Sequence, residues 1–291
     1  MLSILIPTYN YNVFPLASML CEQAVAANIS FEIICLDDGS STETNTENET
    51  INTLQNASFE ALQQNIGRSA IRNLLANKAT KKWLLFLDAD VLPVHDSFIR
   101  KYVEQAQKAT VFCGGIRYKE SLDHLSFLRY KYGKKHEEKS LLTRVENPNK
   151  YFFTANFLIE KDVFQTVSFN ESLVQYGYED LLFSKALNGT NRQVCQIENP
   201  VFHCGIDTNL EFVKKTKQAL ENLSLLRKQQ FVGGKDTRIL YWHDRFARSG
   251  LLFVARLLAS FAEKKAIVTG SLWWFQLFRL GYLAKVVKNQ G

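Results

Sequence analysis

The stretch WLLFLDADVLP, residues 83 to 93, sets the terms for the rest of the chain. Five apolar residues, Trp83 to Leu87, run directly into two carboxylates, Asp88 and Asp90, with Ala89 between them. A continuous apolar run of this length reads as a strand covered on both faces. Carboxylates at its end are costly to desolvate without a partner. Asp88 and Asp90 therefore mark either a strand tip turning into solvent or a place that holds something positive.

Working outward, strand and helix signals alternate. LSILIPTY (residues 2 to 9) and FEIICLDDGSS (31 to 41) are apolar runs that end in polar or turn residues, and VFPLASMLCEQAVAA between them has apolar residues at helical spacing. GRSAIRNLLANKA (67 to 79) predicts a helix with Ile71, Leu74 and Leu75 on its apolar side. A helix through 96 to 109 and a strand at 110 to 118 follow the opening stretch. Residues 40 to 58 are polar and predict a loop or solvated helix, and the mixed-charge segment 121 to 150 predicts an exposed excursion. Beyond it come a strand and helix start in YFFTANFLIEKDVF, a loop in VQYGYED, a helix in LLFSKALNGT, and a strand-like NRQVCQIENPVFHCG. Such alternation argues for a parallel α/β sheet.

The composition is that of a folded protein: 46% hydrophobic and 22% charged residues over 291 positions. None of the five cysteines falls in a C-x-x-C pair, which favours a reducing, cytoplasmic setting. The opening MLSILIPTYN is expected to be a strand rather than a secretory signal. Charge divides the chain. From residue 206 onward there are 15 Lys and Arg against 6 Asp and Glu, whereas the first 205 residues have 20 against 23. The expected organisation is an α/β domain over 1–205 and a basic helical region over 206–291.

A D-x-D pattern alone is a weak signal, but its setting strengthens it. In open parallel sheets ligands bind beyond the carboxyl ends of the strands. Pro7-Thr8-Tyr9, Asp37-Asp38-Gly39-Ser40 and Asp88-Ala89-Asp90 all follow such ends, and together they predict one crevice. SILIPTYN, IICLDDGSS, NIGRSAIRN and LLFLDAD also stand in the order and spacing of family 2 glycosyltransferases, which the chain resembles over about residues 1 to 205. The segment from FFTANFLIEKDVF to NESLVQYGYEDLLFSKAL is similar to the catalytic segment of galactosyltransferase-type members.

The resemblance implies the GT-A fold, a Rossmann-like, mostly parallel sheet with helices on both faces. It also implies transfer of a sugar from a nucleotide donor, with UDP expected, by an inverting, metal-dependent displacement. Asp90 and His203 are the expected ligands of Mn²⁺ or Mg²⁺, with Asp88 contacting ribose or metal. Mn²⁺ tolerates an imidazole ligand better. Asp38 is expected to accept the N3–H of uracil, Thr8 and Tyr9 to line the base pocket, and Pro7 and Ala89 to complete the donor-binding set. Asp37 either joins them or caps its strand. Arg68 and Arg72 are one helical turn apart. One would meet base or phosphate and the other would pair with a carboxylate, and the family pattern favours Arg68 for the nucleotide. Gly67 gives the turn into their helix. Asp180 is expected to be the general base and Glu179 to bind sugar hydroxyls, although acids also favour a helix N-terminus for electrostatic reasons alone.

The tail holds two apolar stretches with basic flanks. The second, Leu272 to Val287, is about 24 Å long as a helix, short of the roughly 30 Å a bilayer core requires. It is expected to lie on an anionic membrane, pack on the catalytic domain or form an oligomer interface. The expected partners are a nucleotide-sugar donor and a glycan or lipid-linked acceptor, not nucleic acid, and the expected location is the cytoplasm, either free or peripheral on the inner face of the membrane. Two other readings compete. A sugar-phosphate nucleotidyltransferase would carry a glycine-rich loop followed by arginine near its start, which this chain lacks. A catalytically inactive sugar-nucleotide or membrane-binding module would have lost the carboxylates, which this chain keeps.

Overall fold

The computed structural model describes residues 1–173, 176–190, 192–247 and 249–290. The first two residues of the expected loop 174–180 lie outside them. From the N-terminus the elements are β1 (Leu2–Thr8), α1 (Phe14–Ala26), β2 (Phe31–Asp37), α2 (Thr44–Asn48), β3 (Ala57–Ala61), α3 (Arg68–Lys78) and β4 (Trp83–Leu87). Next come β5 (Val91–Pro93), α4 (Phe98–Gln105), β6 (Val111–Cys113), β7 (Ile116–Arg117), α5 (Leu128–His136) and α6 (Leu141–Glu146). The series continues with β8 (Asn156–Glu160), α7 (Lys161–Val167), α8 (Glu179–Gly189), β9 (Cys195–Gln196) and β10 (Val201–His203). It ends in α9 (Asn209–Lys228), α10 (Arg238–Ala247), α11 (Leu251–Thr269) and α12 (Leu272–Gln290).

Seven strands form the central sheet in the order β3-β2-β1-β4-β8-β6-β9, with helices on both sides. The first four run parallel: Ile4 of β1 lies opposite Ile33 on one side and Leu85 on the other. All five residues of β4 are buried, as a central parallel strand requires. This parallel arrangement puts the carboxyl ends of β1, β2 and β4 along one edge, followed by Thr8, Asp38 and Asp88. β8 enters antiparallel between β4 and β6.

Residues 83 to 93 form two strands. The chain leaves the main sheet after Leu87, and β5 joins a second sheet ordered β5-β10-β7. There β10 runs antiparallel to β5, with His203 opposite Val91. A pairing register thus brings His203 next to Asp90 across more than a hundred residues.

Two polar segments are more ordered than their composition suggests. Within 40–58, Asn48 and Ile51 are fully buried, Asn48 accepting from Val13 N at 2.8 Å and donating to Tyr11 O at 3.0 Å. β3 begins at the end of this segment, made by pairing with β2 and not by any apolar pattern of its own. Within 121–150, Arg144 is 2% exposed and donates to Gln196 Oε1 at 2.6 Å and Ile197 O at 2.8 Å. A lone arginine in a charged run carries no sequence signal that its partners are buried.

The chain divides into two compact units. One comprises Met1–Lys119, Glu137–Val174 and Glu179–Gly205; the other comprises Glu120–His136, Gln175–Tyr178 and Ile206–Gly291. The core of the first is rich in aromatic rings, with Phe86 and Phe157 stacked at 4.8 Å and Phe169 and Phe183 at 4.3 Å. The core of the second gathers Leu128, Val213, Ala262, Ala266, Phe275 and Phe278. Within it α11 and α12 meet closely, because a Cβ on Gly281 would fall 2.1 Å from Ala255 O. No helix among the described residues is long and apolar enough to cross a membrane.

Candidate active site

Asp88 emerges where the buried run of β4 ends, and its charge is matched at once. Arg72 Nη2 lies 2.5 Å from Asp88 Oδ1, and Arg68 Nη2 lies 3.6 Å from Oδ2. Arg72 is itself buried and sits 5.7 Å over the Phe169 ring. Burial works to raise the Asp88 carboxyl, but the two guanidiniums outweigh it and hold it below the usual carboxylate range. One turn of α3 presents both arginines because they are four residues apart. Both pair with carboxylates; Arg68, 44% exposed, is the one open to a ligand as well.

The second carboxylate pair opens α8. Glu179 is buried and accepts from Arg68 Nε at 2.6 Å. Arg68 therefore joins Asp88 at the end of β4 to Glu179, which is 111 residues from Arg68 in sequence. Burial opposes ionisation of Glu179, and Arg68 and Arg72 overcome it, so this carboxyl lies low. Asp180 is half-buried, and among the described residues no arginine forms an ion pair with it. Its Oδ1 accepts from Thr154 Oγ1 at 2.7 Å, and Oδ2 accepts from Thr154 N at 3.4 Å. Burial, then the neighbouring Glu179 charge, push Asp180 up to about 7. Two adjacent carboxylates are thus driven apart, one ionised throughout the neutral range and one poised to take up or release a proton there. Thr154 is a residue that pattern reading passes over, although it stands within the FFTANF segment.

Asp90 lies between β4 and β5, with Oδ2 3.5 Å from His203 Nε2. Cys204 N donates to Asp90 O at 2.8 Å, and a Cβ on Gly205 would fall 2.1 Å from Asp90 Oδ2. Only glycine lets the backbone pass this close to the carboxylate. The Tyr118 ring stacks on the His203 imidazole, centroids 5.6 Å apart, while its hydroxyl donates to Glu137. The Asp88 oxygens face Arg72 and Arg68, and His203 adds a smaller contribution to holding its carboxyl low. Among the described residues no three His, Cys, Asp or Glu side chains converge as a complete cation cage. Asp90 Oδ2 and His203 Nε2, facing each other and partly exposed, are the residues that would hold a divalent cation.

At the neighbouring strand ends, loops are fastened to each other. Thr8 is buried and donates to Tyr11 O at 3.2 Å, Pro7 is half-buried, and Tyr9 is 54% exposed. Asp37 accepts from Ser40 N at 2.7 Å, Ser40 Oγ at 2.5 Å and Asn45 Nδ2 at 3.2 Å, the geometry of a strand-end cap. Asp38 accepts from Ile66 N at 2.7 Å and Gly67 N at 3.1 Å, and burial still leaves its carboxyl raised. It thereby clamps the entry to α3, where Gly67 at φ +89° turns the chain and delivers Arg68. Ala89 is half-buried between the two aspartates. Tyr178, at φ +70°, belongs to the helical unit.

The fold has solved counterparts. Residues 1–349 of S. aureus TarS, in complex with UDP-GlcNAc, align over 99% of this chain and 91% of that one, with a TM-score of 0.52 and 17% identity. The mannosyltransferase PcManGT from Pyrobaculum calidifontis, in complex with GDP-Man and Mn²⁺, aligns over 99% of this chain and 86% of that one, with a TM-score of 0.59 and 12% identity. At such identities the likeness speaks for the fold, which is GT-A. No curated protein matches the chain in sequence. The profile of glycosyl transferase family 2 matches residues 3–168, more than half of the chain and the part that supplies Thr8, Asp38, Arg68, Asp88, Asp90 and Thr154. On that match the chain belongs to glycosyl transferase family 2.

Proposed function

We propose that the protein transfers a sugar from a UDP-sugar to a hydroxyl of a glycan or lipid-linked acceptor, with inversion at the sugar C1. The observation that carries the reaction is the divided carboxylate pair at the head of α8. Asp180, held by Thr154, takes the proton of the acceptor hydroxyl as that oxygen attacks C1. The C1–O bond to the diphosphate breaks with its electron pair leaving on the phosphate oxygen. Glu179 stays ionised against Arg68, which fixes the start of α8 and keeps a negative charge beside Asp180. Burial, and with it that charge, makes Asp180 a better proton acceptor than an ordinary carboxylate.

Asp38 positions Gly67 and Arg68, and the exposed Tyr9 ring is available to a nucleobase. Arg68 is the residue we assign to the donor diphosphate. Asp90 and His203 would hold a divalent cation, which when bound supplies positive charge to the diphosphate leaving group. The solved relatives contain UDP-GlcNAc in one case and GDP-Man in the other, so both nucleotides belong in the test.

Thermal unfolding of the full chain with UDP or GDP, in Mn²⁺ or in EDTA, tests the donor site. Ligand at a hundred times its Kd adds about 2.7 kcal/mol to stability. UDP is expected to raise Tm by roughly 5 °C or more in Mn²⁺ and by much less in EDTA. Asp90→Ala is expected to remove the metal-dependent part. Equal UDP shifts in Mn²⁺ and EDTA would refute the cation role, and no shift with either nucleotide would refute the donor site.

A further inference from the structure

Within the helical unit, one face of α11 reverses the usual rule of burial. Ala255, Ala259, Ala262 and Ala266 recur at helical spacing and are buried, with Gly281 of α12 seated against Ala255 and Ala259. Turned away from that stripe, Phe253, Val254, Leu257, Phe261 and Val268 face solvent, Leu257 65% and Val268 82% exposed. Trp273, 64% exposed, stands edge-on to Trp274, which meets Phe261 edge-on. A patch of this kind on a soluble surface marks an interaction site.

The charge around it chooses the partner. Lys264 and Lys265 are exposed at one end of the helix, and Lys265 lies 5.6 Å over the Phe261 ring. Arg256 lies over Phe253 near the middle, and Arg245 is exposed just before the helix begins. The nearby carboxylates are already engaged: Glu263 with Lys217 at 2.6 Å and Asp244 with Arg227 at 2.7 Å. The apolar face is therefore flanked on α11 by Arg256, Lys264 and Lys265, with the helix's one acid, Glu263, already paired. Two copies meeting through it would set like charges together in either orientation of the helices. No helix among the described residues can span a bilayer.

We propose that this face of α11, together with Trp273, lies on an anionic lipid surface. Its aliphatic and aromatic side chains enter the headgroup boundary while Arg256, Lys264 and Lys265 reach the phosphates. The proposal does not depend on the transfer reaction.

Flotation of the full chain with vesicles of phosphatidylglycerol and phosphatidylcholine in roughly a 1:3 ratio, against phosphatidylcholine alone, tests it. Binding to the anionic vesicles is expected, weakened in part by salt because the apolar contribution is not screened. Leu257→Glu and Phe261→Glu alter exposed side chains, so Tm should hold while binding falls by about tenfold or more. Lys264→Glu combined with Lys265→Glu should erase the preference for anionic lipid. The proposal is overturned if the wild type ignores anionic vesicles or if the face variants bind as well as wild type. It is also overturned if the wild type is a dimer that the face variants split, which would make α11 a contact between copies. The UDP shift measured on the same preparation separates any of these outcomes from failure of the donor site.

Discussion

The two units of the molecule depart from the hydrophobic rule in opposite directions. The α/β unit buries charge: Arg72 and Arg144 are each 2% exposed, and Asp37 and Glu179 are buried as well. The helical unit exposes apolar side chains along α11 and at Trp273. Exposed polar and buried apolar residues are the default and say little about function, whereas their inversions are informative. In the first unit every one of those charges has a partner; Asp37, Arg72 and Glu179 stand at the ends of β2 and β4 and the head of α8, and Arg144 fastens the segment after β9. In the second, the inverted residues form one continuous face bordered by cations. The first inversion builds a site for a small charged ligand; the second suits a broad surface.

Breaking the first inversion should have the larger effect. Arg72→Leu leaves Asp88 without its principal partner at the end of β4. Removing one member of a buried pair costs about 3–5 kcal/mol. Urea unfolding should show that loss. A change under about 1 kcal/mol would mean that Asp88 is solvated and that Arg72 is not its support.

Asp180 tests the same idea with the opposite sign. Its folded-state carboxyl sits at about 7, above its ordinary 3.8. A raised carboxyl contributes stability that is fully present below about pH 4 and is lost as pH rises through 7. Glu179 lies low, so its own contribution is present at neutral pH and is lost only as pH falls below about 5, with the opposite sign. Asp180→Asn keeps the acceptor for Thr154 Oγ1 and abolishes the loss. The variant should gain on wild type between pH 5 and pH 8, by about 2–4 °C in Tm for each kcal/mol relieved. Parallel Tm curves for the two proteins would contradict the raised carboxyl.

The smallest effect belongs to the second inversion. Leu257→Ser on the exposed face of α11 should change folding stability by no more than about 0.5 kcal/mol. A loss of 2 kcal/mol or more, of the size roughly expected for a core leucine, would mean that this face is covered in solution.

Much of the α/β unit was legible because its signals are local. Apolar runs at 2–8, 31–37 and 83–87 ended in the residues that line the sheet edge, and the four motifs fell in family order. The contacts that give those residues their roles were not local. The 3.5 Å approach of Asp90 to His203 comes from the register of β5 with β10. The Arg68–Glu179 bond crosses 111 residues, and Thr154 reaches Asp180 across 26. No spacing rule announces such pairs. β3 and the buried Arg144 were missed for the same reason, since pairing and partners made them and not composition. The helical tail was visible as apolar and basic, but only the buried alanine stripe of α11 shows which face is left to solvent.

The most direct test of the central claim is the pH dependence of kcat/KM for sugar transfer, measured for wild type and Asp180→Asn with the same donor and acceptor. If Asp180 is the base, wild-type activity rises with pH through a limb near 7. Asp180→Asn loses that limb and falls by about 10²-fold or more, with donor affinity little changed. Near-normal transfer by Asp180→Asn, or the same limb in both proteins, would contradict the account.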